Sequence, residues 1–333
     1  FGVDVESWAG YGELQYELTE ALKLSVSGRY THEDKSLEIQ QVSSLPGAEF
    51  NFDTDSLLAN AARTGQNFSN KRKFNKFTPR IGVDWTISND VFAYASWTKG
   101  FRSGGWTGRA TRGSQYLNFE PETVDSYEVG TKLSLFDRKV RMNTSVFYMK
   151  YANLFNTLTT NGQFIALTTD AKIYGLENEL TVRATPWLDL YVNAGLLKTK
   201  YDGTRSPNLA DRLQRSPKVQ GKAGFSVDYP VGDNGHFLAT GGVFYTAHYL
   251  ITPAFLPFTA PLVPADSNLT GDFALVDGSI GYRWGQDGRY QLVGSCTNCL
   301  NKEYFDSTTI IGSWAGNYSG APRFYKLTGT VRF

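Results

Sequence analysis

The feature that most restricts this chain is a double alternation, of side chains within segments and of connection lengths between them. From Ser126 to Leu135, residues Tyr127, Val129, Thr131, Leu133 and Leu135 fall on one side of an extended strand. Ser126, Glu128, Gly130, Lys132 and Ser134 fall on the other, because successive side chains of a strand point to opposite faces. A polar turn at 136–139 follows, and the pattern resumes with Val140, Met142, Thr144, Val146 and Tyr148 opposite Arg141, Asn143, Ser145 and Phe147. The same two-residue period recurs at 22–30, 80–85, 188–196, 218–228, 274–284 and 325–333. Each strand therefore has one apolar face and one wet face. In a soluble sandwich the apolar face would look inward, and in a membrane barrel it would look out at lipid.

Charge decides between the two. The wet faces carry Lys, Arg, Asp or Glu at mid-strand, and such groups are costly inside a sandwich core unless paired. The connections agree. Short ones lie at 17–20, 87–90, 136–139, 184–187, 230–235 and 285–288, and long ones at roughly 34–73, 101–120, 152–165, 202–216, 251–271 and 301–320. They alternate strictly, as in a transmembrane barrel with short turns at one rim and long loops at the other. Trp85, Phe92, Trp97, Trp187, Tyr229, Tyr282, Trp284 and Tyr290 stand near strand ends, as interfacial ring residues do. The expected fold is all-β: a transmembrane antiparallel β-barrel portion of about 13 strands over residues 1–333.

The bulk properties are compatible. No run of 18 or more apolar residues occurs, so no helix of this chain is expected to span a bilayer, whereas a spanning strand needs only about 9–11 residues. The net charge of +1 gives no general attraction to nucleic acid, and none is expected as a partner. The opening "FGVDVESWAG" lacks the basic head and apolar core of a secretory signal, and the first strand descends from the long-loop side. At least one further strand is therefore expected ahead of Phe1.

Several ordered stretches together resemble the TonB-dependent outer-membrane receptors. These are "FEPETVDSYEVGTKLSLFDRKVRMNTSVFYMKYANL" (119–154), "YASWTKGFRSGGW" (94–106), "AKIYGLENELTVRATPWLDLYVNAGLLKTKYD" (171–202), "NCLNKEYF" (298–305) and "GAPRFYKLTGTVRF" (320–333). The resemblance implies a 22-stranded barrel whose lumen holds a plug domain, of which this chain would be the last 13 or so strands, with the plug lying outside it. It implies import of a scarce nutrient, chiefly a ferric siderophore, driven through the TonB complex and located in the bacterial outer membrane. Lipid and lipopolysaccharide are expected at its outer surface. The C-terminal Phe333, with apolar residues at alternate positions before it, resembles the signal read by the outer-membrane assembly machinery.

Among candidate chemical groups, the loop at 100–116 offers Arg102, Arg109 and Arg112 with Trp106 and Tyr116. Guanidinium forks and aromatic faces suit an anionic or aromatic ligand. Trp314, Tyr318 and Arg323 offer the same from the final loop. Contacts to lipopolysaccharide phosphates or to the plug would use the same groups. Cys296 and Cys299 are read as separate packed thiols, since positions three apart on a strand lie about 10 Å apart, with a disulfide across a bulge as the alternative. His32, His236 and His248 are scattered and read as solvated, and no metal site or cofactor is expected. No GxSxG elbow, P-loop or HExxH motif occurs, so no enzyme is expected. A passive porin, a barrel enzyme with a site at the outer rim and a surface adhesin remain as rival readings.

Overall fold

The computed structural model describes residues 2–39, 68–106, 118–160, 163–202, 212–251, 269–311 and 314–333. They form β1 (Gly2–Glu17), β2 (Leu22–Ile39), β3 (Phe68–Ser88), β4 (Val91–Arg102), β5 (Gly105–Trp106), β6 (Asn118–Phe119), β7 (Glu122–Leu135), β8 (Val140–Thr160), β9 (Gln163–Thr185), β10 (Leu188–Asp202), β11 (Val219–Val231), β12 (Gly235–Thr246), β13 (Phe273–Trp284), β14 (Tyr290–Thr297), β15 (Phe305–Ile311), β16 (Trp314–Ser319) and β17 (Phe324–Val331). Thirteen of them make one antiparallel sheet in the order β1-β2-β3-β4-β7-β8-β9-β10-β11-β12-β13-β14-β17. Every strand pairs with its neighbour in sequence, apart from two small hairpins, β5–β6 and β15–β16, inserted at the long-connection end. Among the described residues β1 and β17 do not pair with each other, so the sheet is open.

Register fixes the two faces. Across the sheet the partners Leu14, Val26, Ile81, Trp97, Tyr127, Tyr148 and Tyr174 form one continuous row on the apolar side. One residue along, Glu128, Phe147, Gly175 and Leu197 belong to the other side, which elsewhere holds Arg29, Arg80, Lys132, Glu177, Glu179 and Lys222. Among the described residues nothing packs against the apolar side: Leu190 is 41% exposed, Val192 43% and Ile280 60%. The chain exposes 20925 Å² in all. A soluble monomer of its 37.0 kDa would expose about 13,600 Å². Buried apolar residues are few among the described ones, among them Leu37, Phe74, Tyr201, Leu213, Leu250 and Phe273, all near the long-connection end. Among the described residues no protein core lies beneath the apolar face, so hydrocarbon is its natural partner. Hairpin β5–β6 folds over the charged face, where a Cβ on Gly104 would lie 3.1 Å from the Phe74 ring, and this marks the charged face as the inside.

Rings collect at the short-turn end of the apolar face, with Trp187 and Tyr229 centroids 5.3 Å apart and Trp284 lying 6.0 Å from Tyr282 and 5.9 Å from Tyr290. Phe92 differs from the interfacial role expected for it. It pairs with Lys132 on the charged face, and the Lys132 ammonium lies 5.8 Å from its ring centre.

Two further expectations change. Part of the sequence read as long loops is strand: β8 and β9 continue as a ladder to Thr160 and Gln163, well past the width of a bilayer, and 301–320 holds hairpin β15–β16. Thr-rich stretches such as 157–160 carry no apolar alternation by which a strand could be read from the sequence. Cys296 and Cys299 are joined in a disulfide, with Cα atoms 5.5 Å apart. The extended-strand distance does not apply, because β14 ends at Thr297 and the chain turns through Asn298, whose φ is 47°. Asn298 is buried and holds the turn: its N–H donates to Asp277 Oδ1 (2.8 Å), its amide donates to the carbonyls of Lys302 (2.9 Å) and Ala321 (3.0 Å), and its Oδ1 accepts from Lys302 N (2.8 Å). The histidines are also less isolated than expected, each lying beside an aspartate: His32 by Asp34, His236 by Asp228 and His248 by Asp272.

Candidate ligand-binding site

The long-connection end of the charged face gathers cations and rings. Lys35 and Arg72 are cross-strand partners on β2 and β3, and both stand over the Phe74 ring, at 5.7 and 5.0 Å from its centre. Lys35 Nζ donates to Ser103 Oγ (2.5 Å) and the Gly104 carbonyl (3.2 Å), and it lies 3.4 Å from Glu33. Arg72 donates to the Phe119 carbonyl (2.8 Å) and Glu120 Oε1 (2.9 Å). These bonds tie Ser103 and Gly104, just before β5, and Phe119 and Glu120, at the end of β6, down onto the inner wall.

Arg102 stands at the top of β4. Its guanidinium lies 5.3 Å from the Phe155 ring centre and 3.9 Å from Glu122, and the side chain remains 56% exposed. Phe155 packs on Phe119 at 4.5 Å. Its position follows from a β-bulge in β8, where pairing with β9 skips between Tyr151 and Leu154. Asn153 takes the left-handed conformation there, φ 56°, which Asn tolerates better than most residues. Its N–H donates to Asp170 Oδ1 (3.0 Å) and its amide to the Pro121 carbonyl (3.3 Å). Beyond the bulge Leu154 joins Tyr151, Ile173, Ala171, Tyr201 and Leu213 in a small apolar cluster. Tyr201 donates to Asn156 Oδ1 (3.1 Å), and burial pushes its hydroxyl pKa up to about 12, so it stays a neutral donor.

The expected ligand residues divide accordingly. Arg102 and Trp106 lie in this region, and the Trp106 indole N–H is buried with no hydrogen-bond partner among the described residues. Arg109, Arg112 and Tyr116 lie outside the described residues. Trp314 and Tyr318 belong to β16, where Tyr318 pairs with Ser307 and is 56% exposed. Arg323 lies over the Tyr325 ring at 5.7 Å, on the apolar side of β17. Lys35, Arg72, Phe74, Phe119 and Phe155 were not anticipated. Lys35 and Arg72 each sit on the wet parity of their strand, but only the register across 36 intervening residues makes them partners.

Lower on the inner face a cavity of about 310 Å³ is bounded by Tyr94, Glu128, Lys132, Asn143, Glu177 and Glu179. The Tyr94 hydroxyl donates to Glu128. Among the described residues no group of His, Cys, Asp and Glu has the arrangement of a metal site.

Comparison with known proteins agrees with this architecture. The family model "TonB dependent receptor-like, beta-barrel" matches residues 1–298. The metal-pseudopaline receptor CntO of Pseudomonas aeruginosa is 28% identical over 151 residues, covering 43% of this chain and 20% of that protein. The ferric yersiniabactin uptake receptor FyuA of Yersinia pestis superposes with a TM-score of 0.77 at 17% identity, covering 99% of this chain and 46% of that one. The copper transporter OprC superposes with a TM-score of 0.72 at 12% identity, covering 99% and 48%. The matched stretch thus spans a fifth of the curated relative's length, and the chain covers under half of each barrel it superposes on. Its charged inner face, its unpartnered apolar outer face and a family match over residues 1–298 make this chain part of the β-barrel of a TonB-dependent receptor, a protein of the bacterial outer membrane.

Proposed function

We propose that the receptor imports an anionic metal chelate, most simply a ferric siderophore, using energy delivered through the TonB complex to a plug domain outside this chain. The observation that carries this reading is the cation and aromatic cluster at the mouth of the inner face. Lys35 and Arg72 spend their donors on the wall and on Glu33 and Glu120, whereas Arg102 is half exposed and only loosely paired with Glu122. Arg102 and the unpartnered Trp106 N–H therefore have donors to offer a carboxylate or catecholate, while Phe155 and Phe119 offer a face to its ring or backbone. A metal-pseudopaline receptor, a ferric yersiniabactin uptake receptor and a copper transporter are among the proteins this chain resembles, which is consistent with such a ligand. No step of covalent catalysis is invoked.

The reading is tested on the complete receptor by calorimetric titration with a panel of ferric siderophores and other metal chelates. The bound chelate is expected to lose about tenfold or more in affinity in Arg102→Ala, since a hydrogen bond to a charged group contributes roughly 1.5–3 kcal/mol. A smaller loss is expected in Trp106→Phe. Unchanged affinity in both variants for every chelate that binds would remove these residues from the site. Uptake that continues in cells lacking TonB would make the protein a passive channel.

A further inference from the structure

On β7, β8 and β9 the outward face of the sheet carries polar side chains where lipid is deepest. From the short turns to the rings at the far edge of the apolar band, the three strands contribute five successive outward rows. The row nearest the turns is Leu135, Val140 and Val182, and the row nearest the long connections is Tyr127, Tyr148 and Tyr174. The second and fourth rows are apolar as well, Leu133, Met142 and Leu180 in one and Val129, Val146 and Leu176 in the other. The middle row is Thr131, Thr144 and Asn178. The outward band of such a barrel is about 25 Å tall, which sets this row about 12 Å from either interface.

Asn178 Nδ2 donates to Thr144 Oγ1 (2.7 Å). Among the described residues this is the one side-chain hydrogen bond of the row, so the Asn178 carbonyl oxygen, its second N–H and the hydrogens of both hydroxyls have capacity to spare. Hydrocarbon offers them nothing, and polar groups at such depth find their partners in protein. The row continues into Ala194 of β10 and Gly221 of β11, which stand little above the backbone. Just beyond it, toward the rings, Val129, Val146, Leu176 and Leu196 border a shallow groove of about 860 Å³. The face is therefore indented beside the amide and open to close approach.

The chemistry of the row selects the occupant. Each spare group belongs to a carboxamide or a hydroxyl, which both donates and accepts, so the row is complementary to itself. In a two-fold dimer standing upright in the membrane, a residue beside the axis meets its own copy at its own depth. Two carboxamides so placed exchange a pair of N–H···O bonds. The strands from β7 to β11, about 4.8 Å apart, across a band about 25 Å tall offer on the order of 500 Å² from each copy, in the lower range of specific interfaces. We propose that this face is the contact between two copies of the receptor within the membrane, with Asn178 beside the two-fold axis.

The test uses the complete receptor, released into mild detergent and weighed by native mass spectrometry over a range of concentrations. The unaltered receptor is expected to form a dimer. Asn178→Leu should raise the dimer dissociation constant about tenfold, since two reciprocal bonds are lost and side-chain hydrogen bonds between segments in a bilayer contribute about threefold each. Asn178→Leu/Thr144→Val should raise it further, and the inner-wall control Asn193→Leu should leave it unchanged. Both outer variants remove polar groups from lipid, so their unfolding midpoints in a heat-modifiability gel should be at least as high as that of the unaltered barrel. In intact outer membranes, oxidation of Asn178→Cys with copper phenanthroline should give a cross-linked dimer. Ile280→Cys, on the same apolar face of β13 and 60% exposed before substitution, should give none. A monomer at every concentration, an unchanged constant in the double variant, an equal loss in Asn193→Leu or equal cross-linking at position 280 would overturn the proposal. A complex of one copy with a different protein that Asn178→Leu abolishes would likewise refute the second copy as occupant.

Discussion

At the scale of single residues, close packing of rings against backbone limits what the inner wall accepts. A Cβ built on Gly175 would fall 2.1 Å from the Phe147 ring, and one on Gly130 would fall 2.5 Å from Tyr94. Gly175→Ala is therefore expected to push the half-buried Phe147 ring off the strand and to destabilise the barrel by about 1 kcal/mol, the cost of an altered rotamer. The shift should appear as a lower urea midpoint for the folded band in a heat-modifiability gel. At the long-connection rim, outside the bilayer, the His248 N–H donates to Asp272 Oδ1 (2.5 Å) and the His248 ring lies 2.8 Å from the same oxygen. These contacts, the backbone one first, hold the Asp272 carboxyl below the usual carboxylate range. A depressed folded-state pKa gives a contribution present in full above the unfolded pKa of about 3.9 and lost as pH falls through the folded value. Hydrogen exchange at the His248 amide should accordingly show a loss of protection below about pH 4 that Asp272→Asn lacks.

At the scale of elements, the turn after β14 shows how a short covalent link and one buried side chain share a task. The Cys296–Cys299 disulfide closes a loop of only a few residues, so chain entropy assigns it about 2 kcal/mol. Asn298 anchors the same turn through four hydrogen bonds that do not need the disulfide. Cys296→Ser/Cys299→Ser is therefore expected to leave the barrel folded while raising proteolytic cleavage between β14 and β17. Asn298→Ala should loosen that connection more than loss of the disulfide does, because it leaves buried donors and carbonyls unpaired. Equal cleavage in all forms would show that the turn is held from elsewhere. The bulge at Asn153 belongs to the same scale. A two-residue period gives no warning of it, yet it aligns Leu154 with the inner cluster and brings Phe155 against Phe119.

At the scale of the whole molecule, among the described residues nothing packs on the apolar exterior and no dry core lies on the charged interior. Val192→Arg places a guanidinium in the middle of the outward band, where the cost is about 2–4 kcal/mol. Asn193→Arg places the same group on the inner face, between Glu179 and Lys222. The first variant is expected to reach the outer membrane in much reduced amount, and the second nearly normally, as read by surface labelling of intact cells. Similar levels of the two would contradict the assignment of faces. Among the described residues the edges of β1 and β17 are unpaired, and within a bilayer such edges leave backbone donors and acceptors unsatisfied.

The sequence by itself determined the strand period, which face meets lipid, the alternation of turn lengths and the count of 13 strands, because each of these is written in neighbours two to ten residues apart. It offered Arg102 and Trp106 as candidate ligand residues on the type of side chain alone. Only the tertiary structure decided which strand positions stand opposite one another. That register made Lys35 and Arg72 partners over Phe74, aligned Lys150, Lys172 and Lys200 on the outer rim and folded Cys296 back onto Cys299. These juxtapositions depend on loop lengths, a bulge and a left-handed turn acting across tens of residues, and a pattern of period two is the same for any even slip of one strand past the next.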